Sequence, residues 1–411
     1  MSLQNTIENM IKLDSINIDS SIQQFQLNIE SKNRSNLFPW KGQFTPQLID
    51  LLLDNYSSPN YSILDPFLGS GTVLIESARK NLKAYGTEIN PAAFCISKLY
   101  KFINIEIDTR KDILNNFEKI LNDEIIIKHD FFSSHENEKQ LSEDLKLSIS
   151  GLSKKIKHEN NVILLEGLII LLDYFNNELT VDKITCKWKK IKEIIFNLPY
   201  SSKEISIFNN DARYIPINDN SIDLIITSPP YINVFNYHQQ YRSSIESIGW
   251  DLLSVAKSEI GSNRKHRGNR FYTVVQYVKD MHDCLIELMR VSKKKSRFIF
   301  IIGRESNVCK TPFFNSEIIA SLGMLIGLKI IARQERFFTN RFGQVIYEDL
   351  IHFENTKKSI STKESINSFI EEILKDALNR VPDEYEALLN QTIEKIEQIQ
   401  SSPIYGDETR F

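Results

Sequence analysis

From Tyr61 onward the chain alternates short apolar runs with segments whose apolar residues recur every three to four positions, as strands and helices in turn would require. Tyr61 to Asp65 reads as a strand, Val73 to Asn81 as a helix, Lys83 to Glu88 as a second strand and Ala92 to Phe102 as the helix after it. Upstream, Thr45 to Asp54 has helical spacing. The alternation then stops. Between 104 and 202 the sequence turns rich in Lys, Glu, Asn and Ile, with helix patterns over Asp112 to Leu121, Glu138 to Leu152 and Val162 to Phe175, which predicts a helical insertion. Strand patterns resume at Glu204 to Asn209 and Ile222 to Thr227, followed by a helix over Val274 to Val291 and a strand over Arg297 to Gly303. Leu328 to Gln334 and Val345 to Phe353 flank Phe338 to Gly343, which reads as a hairpin. These seven strands predict an α/β fold with a mostly parallel sheet and an antiparallel pair at one edge. The expected division is an N-terminal helical arm (1–34), a core in two parts (35–103 and 204–355), the insertion (104–203) and a helical tail (356–411) split at Val381-Pro382-Asp383.

Composition adds little to this pattern. With 41% apolar residues in a chain of 411 there is material for a substantial core, and a net charge of -3 creates no global field toward nucleic acid. Cys95, Cys186, Cys284 and Cys309 are far apart and lack CxxC spacing, which fits a reducing compartment and argues against a zinc site or a disulfide framework. The histidines show no metal spacing. The first fifteen residues lack a basic-then-apolar signal pattern, and the longest oily stretch, Val162 to Phe175, is short for a bilayer and contains Glu166 and Asp173. The expectation is a cytoplasmic protein without a metal.

Two turns carry the candidate chemistry. The first strand runs into Pro66-Phe67-Leu68-Gly69-Ser70-Gly71-Thr72, where glycines allow close backbone approach to a nucleoside and the next helix offers unpaired N–H groups. Glu88, 23 positions after Asp65, stands at the end of the second strand, where an acid can take both ribose hydroxyls of an adenosine. A dinucleotide site needs a third glycine where this chain has Leu74, so an adenosyl ligand without pyrophosphate fits better. Asp211, after the third strand, could accept from an adenine amino group; an ordinary turn aspartate is the alternative. The second turn, Thr227-Ser228-Pro229-Pro230-Tyr231, closes the apolar run Ile222 to Ile226, at the strand end where open α/β sheets bind ligands. Its prolines fix φ and project an acceptor and a flat ring in set geometry, suited to gripping an amino group on a planar base.

Asp65 to Thr72 together with Thr227 to Tyr231 resembles the S-adenosylmethionine-dependent methyltransferases that act on exocyclic amino groups of DNA bases. The resemblance covers roughly 35–100 and 204–353, with the cofactor loop before the catalytic turn as in that family's alpha and gamma arrangements. It implies a class I methyltransferase fold, a Rossmann-like seven-stranded sheet with a reversed last strand. Phe38 to Phe44 looks like the segment closing over the methionine end of the cofactor, with Lys41, Gly42 and Phe44 near it. By the same carry-over Asp65 lies near the methionine amino group, with Pro66 and Phe67 beside it. Gly69, Gly71 and Thr72 lie under the cofactor, Glu88 is on its ribose and Asp211 on its adenine. The insertion is a departure, so three segments compete as target-recognition region: 104–202, 232–273 and the tail.

The implied chemistry is in-line methyl transfer to a base flipped out of double-stranded DNA, with Ser228 and Pro229 accepting from the amino protons and Tyr231 stacking on the base. Serine at the first motif position resembles the cytosine-N4 subgroup; adenine-N6 and RNA amino-methyltransferases are the alternatives, and a silent binding module would predict decay at Gly69, Glu88 or Ser228. None of the cysteines follows a proline as in ring-carbon cytosine methyltransferases. A restriction endonuclease or another defence-system subunit is the expected partner besides DNA. Tyr237 and Arg242 follow the catalytic turn, and Arg264, Lys265, Arg267 and Arg270 crowd a glycine-flanked loop suited to phosphate contacts. Lys293 to Lys295 read as a helix end and turn. Replacing Arg264, Lys265 and Arg267 together by alanine should weaken DNA binding and flatten its salt dependence while cofactor binding persists, as measured by titration at several salt concentrations.

Overall fold

A computed structural model describes residues 10–130, 138–173, 176–232, 239–261, 266, 268–339, 343–358 and 361–406. Nine strands are described: β1 (Ser62–Asp65), β2 (Lys83–Thr87), β3 (Ile205–Phe208), β4 (Ile222–Thr227), β5 (Ser292–Gly303), β6 (Glu305–Val308), β7 (Thr311–Phe314), β8 (Lys329–Thr339) and β9 (Val345–Glu354). Seven form one sheet in the order β3-β2-β1-β4-β5-β9-β8, while β6 and β7 make a separate hairpin. The pairs among β1 to β5 are parallel, and β9 runs antiparallel to both β5 and β8. The expected antiparallel pair is therefore present, with the reversed strand as its inner member and β8 at the edge.

Alternation along the strands feeds both faces of the sheet. Ile63, Leu224, Ile226, Ile299 and Ile301 join one buried cluster, whereas Leu64, Ile225, Phe298, Phe300 and Ile302 join the other. The first face is covered by helices Pro46–Tyr56, Thr72–Arg79 and Pro91–Ser97, and the helices between β2 and β3 in sequence, Ile107–Leu121, Glu138–Lys155, Glu159–Leu172 and Val181–Phe196, extend the same buried cluster outward over Pro91–Ser97. Arg110, fully buried, ties the start of this helical group to its end. Its guanidinium donates to the carbonyls of Ile195 (3.1 Å), Leu198 (2.7 Å) and Ile105 (3.0 Å), a cation at a helix C-terminus. The second face takes helices Tyr272–Val291, Asn315–Leu325 and Lys363–Leu378. Tail residues Phe369, Ile370, Leu374 and Leu389 belong to its core, so the tail is packed structure.

Lys293 to Lys295 are not a helix end. They lie in β5, within the register shift that pairs Ile222 with Ser292 but Leu224 with Arg297, and Lys293 Nζ bonds Asp223 at 2.7 Å. Among the described residues no helix is long and apolar enough to cross a membrane.

Gly71 opens helix Thr72–Arg79 with φ 88°, and a Cβ there would stand 2.8 Å from the Tyr100 ring. Gly71→Ala should therefore destabilise the fold by about 1–3 kcal/mol, through the left-handed backbone and the clash with Tyr100, measurable as a lowered urea midpoint at unchanged slope.

Candidate active site

Parallel strands bring their carboxyl ends to one edge of the sheet, and the two candidate turns leave from adjacent strands there, β1 and β4. They are joined at the root. Thr227 Oγ1 donates to Asp65 Oδ1 at 2.7 Å, and the same oxygen accepts the Phe67 N–H at 3.1 Å. Asp65 is buried, and burial pushes its carboxyl up to about 7, with Thr227 and Phe67 pulling the other way. The glycine loop is pinned to β2 by Leu68 N–H to Thr87 O (3.1 Å) and Thr87 Oγ1 to Pro66 O (2.8 Å). Glu88 then faces back to the loop, accepting from Gly69 N–H through Oε2 and from Asn90 N–H through Oε1, each at 2.8 Å. Burial raises its carboxyl to about 7 against those two N–H groups, and the negative charges of Asp65 and Glu259 add to the rise. Asn90 caps helix Pro91–Ser97 with its oxygen, which leaves its buried Nδ2 without a hydrogen-bond partner among the described residues.

At the second turn Ser228 Oγ and Tyr231 Oη lie 3.3 Å apart. The Tyr231 ring packs over Gly303, where a Cβ would come within 3.2 Å of it, and the Gly303 N–H donates to the phenol oxygen. Burial raises the phenol to about 12, so it stays neutral and can direct its proton to Ser228.

Both turns open into one cavity of about 920 Å³, large for a single ligand and apt for a cofactor and a base together. Of the residues expected to touch a cofactor, Lys41, Gly42, Phe44, Pro66, Phe67, Gly69, Thr72, Glu88 and Asp211 line it, as do Ser228, Pro229, Pro230 and Tyr231. The segment before the first helix closes one side, held by Ser70 Oγ donating to Gln43 Oε1 (2.6 Å) and Asn36 Nδ2 donating to Phe44 O (2.7 Å).

Several expectations need correction. Asp65 and Gly71 do not line the cavity: Asp65 is spent on Thr227 and Phe67, and the open side of Gly71 faces Tyr100. Asp211 reaches the wall, but its oxygens are already taken. They accept from Arg213 N, Nε and Nη2 and from Tyr405 N–H at 2.6–3.1 Å, while Arg213 also binds Asp280 and the carbonyls of Ser402 and Pro403. An adenine amino group thus finds no vacant acceptor on that carboxylate. Tyr231 lines the cavity with its ring packed over Gly303 and its hydroxyl 3.3 Å from Ser228 Oγ. Arg242, exposed, pairs with Glu246 (2.9 Å), and neither it nor half-buried Arg270 lines the cavity. Tyr237, Arg264, Lys265 and Arg267 lie outside the described residues. Gln43, inside the Phe38 to Phe44 segment, also lines the cavity, and sequence reasoning missed Asn90, Arg336 and Glu348 there. Of these only Asn90, an Asn-Pro pair at a helix start, left a local sequence signal. Among the described residues no group of three or more His, Cys, Asp or Glu could hold a metal ion.

Residues 17–99 match the family model described as DNA methylase. The chain is similar to the type II methyltransferase M.MjaII of Methanocaldococcus jannaschii, 22% identical over 70% of this chain and 75% of the relative. It is also similar to M.BsoBI of Geobacillus stearothermophilus, 24% identical over 55% of each chain, so the chain spans little more than half of that relative's length. A solved S-adenosylmethionine-dependent methyltransferase from Methanosarcina mazei aligns over 75% of this chain and 98% of its own at 11% identity, with a TM-score of 0.34. The sheet order and the two turns define a class I methyltransferase. Within that class the similarity is to DNA amino-methyltransferases, and the cofactor is S-adenosylmethionine.

The cavity fits that cofactor. Glu88 has lone pairs left that would accept from ribose hydroxyls, and the unpartnered Asn90 Nδ2 beside it would supply a donor. Without ligand, Asp65 and Glu88 hold protons that the unfolded chain has lost. Their share of stability is complete below the ordinary carboxylate range and disappears as pH rises through about 7. A cationic cofactor with hydroxyl donors prefers the ionised acids, so its affinity should rise about tenfold from about pH 6 to about pH 8. Titration calorimetry across that range should show the rise, and Glu88→Gln should lower affinity and flatten it.

Proposed function

We propose that this protein methylates the exocyclic amino group of a base flipped from double-stranded DNA, cytosine N4 in the first instance, in a restriction-modification or related defence setting. The observation that carries this reading is the convergence of the glycine loop with Glu88 and the Ser228 to Tyr231 turn on one cavity, roots joined by the Asp65–Thr227 hydrogen bond. The type II names of the relatives support the setting. Bound S-adenosylmethionine would supply an electrophilic methyl group. The chain's own part is to make the amino nitrogen a nucleophile, because its lone pair is delocalised into the ring. Ser228 Oγ, receiving the Tyr231 proton on one lone pair, keeps the other for an amino proton, and the Pro229 carbonyl takes the second. These acceptors favour a pyramidal nitrogen and absorb the positive charge that develops on it. Tyr231, Glu259 and Ile260 all line the cavity, which favours the segment between Tyr231 and Phe271 as the target-recognition region.

Incubation with S-adenosylmethionine and unmodified DNA, digestion to nucleosides and mass spectrometry should give N4-methylcytosine; a DNA that gains no methyl group would overturn the reading. Ser228→Ala should lose about a hundredfold or more in turnover while cofactor affinity is retained.

A further inference from the structure

The register of the antiparallel strands places three residues in one row across the sheet: Gly303 on β5 faces Glu348 on β9, and Glu348 faces Arg336 on β8. Direct cross-strand partners project to the same face. Tyr231 rests on Gly303, so the Glu348 and Arg336 side chains continue the row outward from the catalytic turn, and all three line the same cavity. Arg336 lies about 10 Å from Gly303 by sheet spacing, the reach of a pyrimidine edge with a hydrogen bond at each end.

Arg336 is buried, yet its guanidinium is poorly served. Nε lies 3.1 Å from Glu348 Oε2 but is not aligned for a hydrogen bond, and Nη1 has no partner among the described residues. Its neighbour on the other side is the Phe338 ring, 5.0 Å away. A buried donor left unmade is costly, so a cationic group held in this way at a cavity wall is poised for an acceptor that arrives with a ligand.

We propose that Arg336, positioned by Glu348, reads a ring carbonyl on the same edge of the target base as the amino group held by Ser228 and Pro229. This rests on the amino-methyltransferase reading and deepens it. Cytosine carries an amino group, a ring nitrogen acceptor and a carbonyl along that edge. Adenine has a C–H where the carbonyl would be, and would leave the guanidinium facing carbon. The pair is therefore a specificity device selecting cytosine, set on strands β8 and β9 rather than in the catalytic turn.

The test uses the full chain, mixed-sequence unmodified duplex DNA and S-adenosylmethionine, with product nucleosides read by mass spectrometry and cofactor affinity by calorimetry. The expected wild-type product is N4-methylcytosine. Arg336→Gln should lower kcat/KM for DNA by about tenfold to a hundredfold at unchanged cofactor affinity, and Arg336→Lys, which keeps a donor, should recover part of the loss. Glu348→Gln should cost less than Arg336→Gln. N6-methyladenine or N2-methylguanine as the wild-type product would overturn the proposal while leaving amino methylation in place, whereas no methylated nucleoside would overturn both. Wild-type kcat/KM in Arg336→Gln would also overturn it. If Arg336→Gln fails to bind cofactor, Arg336→Lys decides: a folded, cofactor-binding lysine variant as inactive on DNA as the glutamine variant counts against the carbonyl contact.

Discussion

One hydrogen bond holds the site together. Thr227 and Asp65 stand 162 residues apart in sequence, at the ends of neighbouring parallel strands, and their side chains meet where water does not reach. Because the acceptor is a buried carboxyl with no cationic partner among the described residues, the hydroxyl and the Phe67 amide are its principal compensation for leaving water. The contact ties the two turns where they leave the sheet, and the bonds of the loop to Thr87 and Glu88 and of Tyr231 to Gly303 hold the rest. The geometry between the two reactant sites is thus a property of the sheet, with the loops only elaborating it.

The rest of the wall repeats the same economy. Glu88 accepts two loop amides, and Tyr231 takes the Gly303 amide while touching Ser228. Polar side chains that appear poised for ligand also organise backbone, which fixes the pocket before any ligand arrives and lowers the ordering cost of binding. Arg336 differs, because its neighbours leave part of it unanswered.

Much of the architecture was legible because parallel strands buried on both faces are continuous apolar runs bounded by turns. The seven sheet strands follow from runs such as Ile222 to Thr227, and the two turns are contiguous motifs. What stayed hidden depends on distant partners. Lys293 to Lys295 resemble a helix end until the register shift opposite Asp223 is known. Helix Val181–Phe196 carries Ile184, Trp188, Ile191 and Ile195 at helical spacing and was legible but passed over, whereas helix Asn315–Leu325, apolar on all sides, and the short hairpin of β6 and β7 show no clear period. Asp211 has the placement of a ligand acceptor, and only Arg213 and the chain near 402–405 reveal that it is engaged. Arg336 and Glu348 become neighbours of Tyr231 only through pairing across three strands, which no local pattern encodes.

The closure over Asp211 bears on how the chain matures. Arg213 receives the carbonyls of Ser402 and Pro403 from 189 and 190 residues downstream, and Asp280 binds both the hydroxyl and the N–H of Ser402. During synthesis this part of the wall has charged groups but lacks acceptors for Arg213 until Ser402 and Pro403 have emerged. A nascent chain with every sheet strand already made still has an open flank beside Asp211, so this wall closes only after residues 402–405 have emerged, later than the core that supports it.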